Sequence, residues 1–185
     1  MAIHDRVNCD TPRVASDLAS LLASRTRRRP GEPLVTFVDV DAGERTELSA
    51  TSAMNAAAKI GNAIIDEFDL MAGDRIALHM PPHWQLTTWC LGTWLTGCTV
   101  TLDDDVAPDL IVSDLLHAPT SPWPGSTVHV VSTHPLGLPI TSPLPDGCED
   151  VTVTIRQQPD AYLHAPSTGT DIALASVEGS WSQSD

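Results

Sequence analysis

Apolar residues recur at helical spacing in two segments of the first seventy residues. The first segment is "TPRVASDLASLLASR", and Pro30, Gly31 and Pro33 lie beyond it. The second begins at Ser49 or Thr51, either of which can cap a helix, and continues to about Phe68. The pattern therefore predicts two amphipathic helices. Their apolar positions are Val14, Leu18, Leu21 and Leu22 in the first, and Met54, Ala57, Ala58, Ile64, Ile65 and Phe68 in the second, with Gly61 among them.

β-prone runs lie between and after these helices. The segment "PLVTFVDVDAGERTELS" contains two such runs joined by a short "DAGE" link, which is typical of a β-hairpin. The runs "RIALHM" and "CTVTL" are short and apolar, and they predict buried strands. The resulting order of hairpin, helix, strand, helix and strand indicates an α/β fold with parallel strands.

A third helix is predicted between the two buried strands. Pro81 and Pro82 cannot continue a central strand, but they can open a helix. This helix would extend from about His83 to Thr96. Gly97 follows it, at the position where glycine commonly ends a helix.

The third helix contains tryptophans at positions 84, 89 and 94, five residues apart. At 3.6 residues per turn this spacing distributes Trp84, Trp89 and Trp94 around the helix, which predicts a helix buried on most sides. The alternative is that one of them is exposed at a partner surface, because aromatic residues often anchor interfaces. We expect one α/β core that contains Ile64, Ile76, Leu78, Trp89 and Val100.

A tight turn precedes the strand "RIALHM". Its sequence "MAGDR" contains Gly73 and Asp74, and these are residue types that turns require. We expect Arg75 to pair on the surface. The interpretation of this short motif is therefore structural.

Beyond residue 103 the chain becomes rich in proline, with ten of the fifteen prolines between Pro108 and Pro166. "DLIVS" and "STVHVVST" predict two further strands, "CEDVTVTIRQQPD" predicts a late strand, and "ALASVEGSWSQSD" predicts the start of another. Few residues separate "CTVTL" from "DLIVS", whereas a parallel crossover needs about a dozen. Either these two strands are not parallel neighbours, or an expected helix has been lost.

Together these elements predict the fold class α/β. We expect a three-layer-like, mostly parallel sheet with flanking helices, followed by a proline-rich part of strands and loops. Residues 1–115 would form the α/β unit. Residues 116–185 would complete or flank the same domain.

The formal net charge of −14 at pH 7 argues against nucleic acid and anionic membrane surfaces as partners. No segment approaches the ~18 apolar residues that a membrane span needs, and the first ten residues lack an apolar signal core. We therefore expect a cytoplasmic protein. The cysteines form no C-x-x-C pair, which predicts free thiols and disfavours a zinc site. They are Cys9, Cys90, Cys98 and Cys148, with Cys90 and Cys98 expected to be buried.

The segment from residue 43 to residue 105 resembles the start of the adenylate-forming enzymes, which include acyl-CoA synthetases and the adenylation domains of peptide synthetases. The resemblance covers about residues 34–115. The whole chain is similar to a small actinobacterial protein family that resembles only this N-terminal region, and "HPLGLPITSPLPDGCEDVTVTIRQQPDAY" resembles the middle of that family. The positions that match the enzymes are Leu48, Gly73, Asp74, Arg75, Ala77, Leu78, Pro81, Gly97, Val100, Leu102 and Asp103.

The resemblance implies that chemistry would lie in a later segment, where the enzymes hold the ATP phosphates in a Ser/Thr/Gly-rich loop that ends in Pro-Lys. The candidate ligand-binding residues at that distance are Ser167, Thr168, Gly169 and Thr170. The second glycine, the proline and the lysine are missing, Lys59 is the only lysine of the chain, and Asp171 adds a negative charge. A phosphate cradle needs free N–H groups and usually a cation. We therefore expect no catalytic residue and no cofactor, with ATP, AMP or Mg²⁺ as the alternative.

A run of three carboxylates follows the strand "CTVTL". Asp103, Asp104 and Asp105 come after the carboxyl end of a strand, where open α/β sheets place ligands. With Asp109 and Asp114 they could hold Mg²⁺ or Ca²⁺. The simpler interpretation is a solvated acidic loop.

Three functions fit the sequence. The first is a catalytically inactive relative that acts as a binding or assembly module. The second is a residual binder of an acyl or nucleotide-like ligand, and the third is an enzyme fragment that needs a second chain for ATP-dependent carboxylate activation. The missing lysine favours the first function over the third. A hydrolase is disfavoured because the sequence contains no G-x-S-x-G motif.

The last residues, "VEGSWSQSD", resemble the earlier "GERTELSAT". The closer family continues beyond this point with a second copy of the opening unit, so we expect a shortened chain. The sheet edge that a second copy would cover then stays open, and open edges pair with other chains. We therefore expect a homo-oligomer or a protein partner.

Overall fold

The structure, a computed structural model, describes residues 17–102, 106–120, 122–134 and 137–185. The helices are α1 (Leu18–Arg28), α2 (Ala50–Asp66), α3 (Trp84–Thr96) and α4 (Thr152–Gln157). The strands are β1 (Pro33–Asp39), β2 (Glu44–Ser49), β3 (Arg75–His79), β4 (Thr99–Thr101), β5 (Leu110–Ser113), β6 (Thr127–Val130), β7 (Cys148–Asp150), β8 (Ile172–Ser176) and β9 (Gly179–Ser182). The predicted hairpin and the predicted α/β order of the N-terminal half are confirmed.

Within the described residues, strands β3 to β9 form a seven-stranded sheet in the order β7-β6-β5-β3-β4-β8-β9. Neighbouring strands are parallel except for the hairpin of β8 and β9. β4 and β5 therefore flank β3 and are not neighbours, which confirms the first explanation for the short link between them. In the described part of the chain, strands β1 and β2 pair only with each other, as an antiparallel two-stranded sheet.

The central strand β3 presents its side chains alternately to two apolar layers. Ile76 and Leu78 lie in the main core, under α2 and α3, whereas Ala77 lies in a smaller cluster on the opposite face. All residues predicted for one core lie in the main core, so that prediction is confirmed: Ile64, Ile76, Leu78, Trp89 and Val100.

Helices α2 and α3 approach closely because glycines lie at their contact. A Cβ atom at Gly92 would lie only 2.5 Å from Ile60 Cγ2 and 3.0 Å from the carbonyl oxygen of Ala57. A Cβ atom at Gly61 would lie 3.0 Å from the ring of Tyr162. Side chains at either glycine would therefore push the neighbouring elements apart.

The amide side chain of Asn62 fixes the segment after α4 onto α2. Its Nδ2 donates to the carbonyl oxygen of Ala161 at 2.9 Å and to that of Pro159 at 3.3 Å. Its Oδ1 accepts from the N–H of Leu163 at 3.1 Å. Asn62 is completely buried, so these bonds remove the cost of burying an unpaired amide.

The turn "MAGDR" connects the amino ends of three parallel strands. Gly73 adopts a φ of 98°, and its N–H donates to the carbonyl oxygen of Gly97 at 3.0 Å. The carbonyl oxygen of Asp74 accepts from the N–H of Thr99, the first residue of β4, at 2.8 Å. The N–H of Arg75 donates to the carboxylate of Asp109 at 2.8 Å, which aligns β3 with β5.

The segment "CEDVTVTIRQQPD" was predicted as a strand, and this is wrong for most of its length. Only Cys148–Asp150 pairs with β6, and α4 follows. Val151 is buried in the main core and Ile155 packs against it, whereas Val153 is exposed. This spacing of four buries one face of a helix, whereas a strand would place all three side chains on one face. The Asp150 carboxylate accepts from the N–H of Thr152 at 2.8 Å and stabilises the first turn.

Two further expectations need correction. Leu21 was placed on the apolar face of α1 but is exposed, because this helix buries only one side, with Leu22 inward. None of the three tryptophans on α3 is exposed, so the alternative of an exposed tryptophan on this helix is wrong. Trp89 is buried, Trp84 is half-buried, and Trp94 is half-buried with its indole N–H donating to the carbonyl oxygen of Ala173 at 2.7 Å.

Cys98 is buried and Cys90 partly so, and burial raises the pKa of each thiol to about 11. Both thiols are therefore protonated at neutral pH. Cys9 lies outside the described residues. In the part of the chain that the structure describes, no helix combines the length and the hydrophobicity needed to cross a membrane.

Candidate functional site

The carboxyl ends of the parallel strands lie along one side of the sheet, which we call the carboxyl edge. From β3 the chain proceeds to β4 on one side, whereas from β5 it proceeds to β6 on the other. Open α/β sheets usually bind ligands in the crevice between two such strands. Pro81 and Pro82 follow β3 at this edge, and Ser113 and Asp114 lie at the end of β5.

Polar groups are buried at the end of β5. Asp114 is almost fully buried, and its Oδ1 accepts from the backbone N–H of His117 at 2.9 Å and contacts the ring Nδ1 of His117 at 2.6 Å. Ser113 is completely buried, and its Oγ has no hydrogen-bond partner among the described residues. The edge therefore combines a paired carboxylate with an unpaired hydroxyl.

His83 lies directly before α3 at the same edge. Its Nδ1 accepts from the N–H of Gln85 at 3.3 Å and caps the helix. Burial lowers the pKa of His83 below its usual value, although the carboxylates of Glu44 and Asp114 act in the opposite direction. At neutral pH the ring is therefore uncharged, and its Nε2 is buried without a partner among the described residues.

A cavity of about 230 Å³ lies beside this edge, between α2, the first turns of α3, the end of β6 and α4. Its polar lining is already organised, because Gln85 donates to the carbonyl oxygen of Ser132 and the hydroxyl of Thr152 accepts from the N–H of Ser132. The lining residues are Ala56, Lys59, Trp84, Gln85, Thr88, Trp89, Val131, Ser132, Gly137, Thr152, Ile155 and Arg156. The cavity is largely apolar.

Among the described residues that line this cavity two are basic and none is acidic. The ammonium of Lys59 pairs with the carboxylate of Asp160 at 3.0 Å and donates to the carbonyl oxygens of Arg156 and Gln158. One guanidinium nitrogen of Arg156 donates to the carbonyl oxygen of Gly137 at 3.1 Å. A guanidinium carries five N–H donors, so Arg156 keeps donors for a ligand.

Comparison with known proteins identifies the family. A "TIGR03089 family protein" from Mycobacterium tuberculosis (strain ATCC 25618 / H37Rv) is 35% identical over 166 residues, which cover 86% of this chain and 67% of the relative. The chain belongs to the TIGR03089 family. No family model matches the sequence.

Solved structures show which fold this TIGR03089 family member shares. The acetoacetyl-CoA synthetase from Streptomyces lividans is similar with a TM-score of 0.66 at 16% identity, over 85% of this chain and 27% of the enzyme. The anthranilate CoA ligase AuaEII, solved with anthranoyl-AMP, gives a TM-score of 0.65 at 14% identity, over 89% of this chain and 33% of the ligase. An acyl-CoA synthetase from Brucella canis gives a TM-score of 0.59 at 18% identity, over 78% of this chain and 28% of the synthetase.

The mostly parallel sheet with flanking helices is thus the fold of the N-terminal part of adenylate-forming enzymes. The predicted resemblance and the predicted fold class are confirmed. The chain spans about a third or less of the length of these enzymes.

The predicted ligand-binding loop of this TIGR03089 family member lies away from the carboxyl edge. Because Ser167–Thr170 precedes β8, which is parallel to β4, the loop lies at the amino ends of the strands. The N–H of Ser167 donates to the carbonyl oxygen of Leu95 at 3.1 Å, and the N–H of Thr168 donates to the carboxylate of Asp171 at 2.6 Å. The carbonyl oxygen of Gly169 accepts a hydrogen bond from the N–H of Ser184 at 3.1 Å.

Only part of the predicted acidic metal site lies among the residues that the structure describes. Asp103, Asp104 and Asp105 lie outside the described residues. Asp109 directly precedes β5 and Asp114 directly follows it, so the structure places these two carboxylates at opposite ends of one strand. Among the described residues no group of three or more His, Cys, Asp or Glu side chains is placed to hold a metal ion.

Sequence reasoning identified the residues of the carboxyl edge only in part. Asp114 was named as a possible metal ligand, and His83 was considered as the start of a helix and rejected as a metal ligand. Ser113 was considered only as the end of a strand. The strand-end position of Ser113 and Asp114 was a usable signal, because ligand sites of open α/β sheets lie there. The cavity had no sequence signal, because α4 was predicted as a strand.

Proposed function

We propose that this chain is a binding and assembly module with the fold of the N-terminal region of adenylate-forming enzymes, and that it does not itself activate carboxylates. One observation carries the proposal. The N–H of Thr168 donates to the Asp171 carboxylate at 2.6 Å, within the loop that resembles a phosphate loop.

A phosphate loop works because several backbone N–H groups point at the anion and a cation balances its charge. In this loop the N–H groups of Ser167 and Thr168 already have protein acceptors. The Asp171 carboxylate would repel a phosphate, and no lysine follows Lys59 in the sequence. These contacts therefore favour a structural role for the loop, as a turn, over a role in nucleotide binding.

We expect no pyrophosphate release when the chain is incubated with ATP, Mg²⁺ and a panel of fatty, aromatic and amino acids. The reason is that the loop offers neither the free N–H groups nor the cation that a triphosphate needs. Pyrophosphate is measured by a coupled enzymatic assay, with a solved acetoacetyl-CoA synthetase as the positive control. Reproducible turnover that Thr168→Ala and Gly169→Ala abolish would contradict the proposal.

A specific observation also supports the assembly role. β9 lies at one end of the sheet order and, among the residues that the structure describes, pairs only with β8. Trp181 on β9 is 42% exposed, and Val177 in the adjoining turn is 66% exposed. A strand with one open edge and apolar neighbours can pair along that edge with the same strand of a second copy, around a two-fold axis.

We therefore expect a homodimer in solution that forms through β9. Light scattering at several protein concentrations measures the mass, and Trp181→Lys should shift it toward the monomer because charged residues disfavour edge pairing. Leu116→Lys, at an exposed residue outside the sheet, is the matched control. A strictly monomeric mass up to about 100 μM would refute the dimer, because interfaces of standard size normally persist well below that.

A further inference from the structure

The binding role proposed above leaves the ligand unnamed, and the cavity beside the carboxyl edge specifies its chemistry. We propose that this cavity binds one compact apolar anion, a single aromatic or cyclic aliphatic ring that carries one carboxylate or sulfonate. The inference rests on the proposed binding function and adds a site and a ligand class to it.

The size of the cavity limits the ligand to about one ring. Its volume is about 230 Å³. An apolar cavity of about 150 Å³ in a protein interior is enough for benzene, whereas sites for drug-sized ligands occupy about 300–1,000 Å³. A six-membered ring with one small substituent therefore fills the space, and a larger ligand would extend out of the cavity.

The walls of the cavity favour an apolar body. Trp89 is buried in the main core, Val131 is buried beside it, and Ile155 packs against the same core. These side chains are held by the packing of the sheet and helices, so the cavity is formed before a ligand arrives. Pre-formed apolar walls of this kind bind rings at little cost in side-chain ordering.

The charge around the cavity favours an anion. From residue 59 to the end of the sequence the basic residues are Lys59, Arg75 and Arg156, and two of these three line the cavity. No described lining residue is acidic, although the chain has 24 acidic residues and 10 basic ones. Lys59 is neutralised by Asp160 and bound to two carbonyl oxygens, so Arg156 is the cation with donors to spare.

Arg156 is exposed, whereas the ring-contacting residues lie deeper. The ligand therefore enters with its ring first and leaves its anionic group beside the guanidinium of Arg156. Trp84, which also lines the cavity, has a buried indole N–H without an acceptor among the described residues. An oxygen of the ligand within reach of this N–H would supply an acceptor, and buried donors are costly to leave unpaired.

The test uses the whole chain and titration calorimetry with four probes of equal size: benzoate, benzenesulfonate, benzyl alcohol and benzylamine. We expect saturable binding of one benzoate or benzenesulfonate per chain. Benzyl alcohol should bind about tenfold more weakly, since it lacks the charge that pairs with Arg156, and benzylamine should bind more weakly still. Equal affinity for the four probes, or no benzoate binding up to about 10 mM, would overturn the proposal.

Variants locate the site. Arg156→Gln should weaken benzoate binding about tenfold and leave benzyl alcohol unchanged, because only the charged interaction is lost. Ala56→Leu, which places a larger side chain in the cavity, should abolish the binding of both benzoate and benzyl alcohol. Arg75→Gln is the matched control, because this arginine is also exposed but lies at the amino ends of the strands. Thermal unfolding of each variant shows that it is folded.

The outcomes separate this inference from the proposed function. Benzoate binding that Ala56→Leu does not change would place the ligand elsewhere, which overturns the site but not the binding role. Pyrophosphate release would overturn the inactive module whether or not benzoate binds. Probe selectivity in the unmodified chain remains decisive even if a variant fails to fold.

Discussion

Replacing Leu78 with alanine should lower the free energy of unfolding by about 2–5 kcal/mol, because the lost burial and the cavity both destabilise the core. Leu78 is 3% exposed and lies in the main core on the central strand β3. β3 is paired on both sides, so the backbone around position 78 cannot move inward to fill the space. Chemical unfolding in urea, followed by far-UV circular dichroism, measures the change.

Leu116→Ala is the matched control for this substitution. Leu116 is 87% exposed, so the same chemical change should alter the free energy of unfolding by less than about 0.5 kcal/mol. If Leu78→Ala were equally mild, the placement of β3 at the centre of the core would be wrong.

Replacing Gly92 with alanine should also destabilise the protein, by about 1–3 kcal/mol, as overpacked cores do. Helix propensity alone predicts the opposite sign, since alanine inside a helix is favoured over glycine by about 1 kcal/mol. Steric overlap decides the outcome, because the new Cβ would lie 2.5 Å from Ile60 Cγ2 and 2.7 Å from Ile60 Cβ. The helices α2 and α3 would have to separate.

Gly31→Ala tests whether the effect is specific to the helix contact. A Cβ atom at Gly31 would have no neighbour within 4 Å, so this substitution should change the midpoint of urea unfolding very little. Stabilisation by Gly92→Ala, measured on the same scale, would show that the two helices are not in close contact at this point.

Much of the fold could be predicted because local signals determine it. Proline, glycine and the helix cap at Ser49 indicated ends of α2 and α3, and the short apolar run "RIALHM" indicated β3. Leu21 was misplaced because periodicity identifies an apolar stripe but not how much of it a neighbour covers. Similarly, the "VTVTI" segment has strand-like alternation, yet Val151 and Ile155 form one buried helix face.

The candidate site was harder to predict because it depends on which strands become neighbours. Ser167–Thr170 resembles a phosphate loop in composition, but pairing of β8 beside β4 places it at the amino ends of the strands. The cavity requires α3, β6 and α4 to meet, and their residues are distant in the sequence. Asn62 likewise gives no sign in the sequence that it bonds a segment about a hundred residues later.

The position of β8 has a consequence for how the chain is made. Val100 of β4 pairs with Leu174 of β8, about 70 residues later, so one side of β4 cannot be completed until β8 has been synthesised. At about 5–20 residues per second, a ribosome needs about 4–15 seconds to add that stretch. During that interval the nascent chain presents an unpaired strand edge beside an apolar core, which is the surface that chaperones cover and that promotes aggregation.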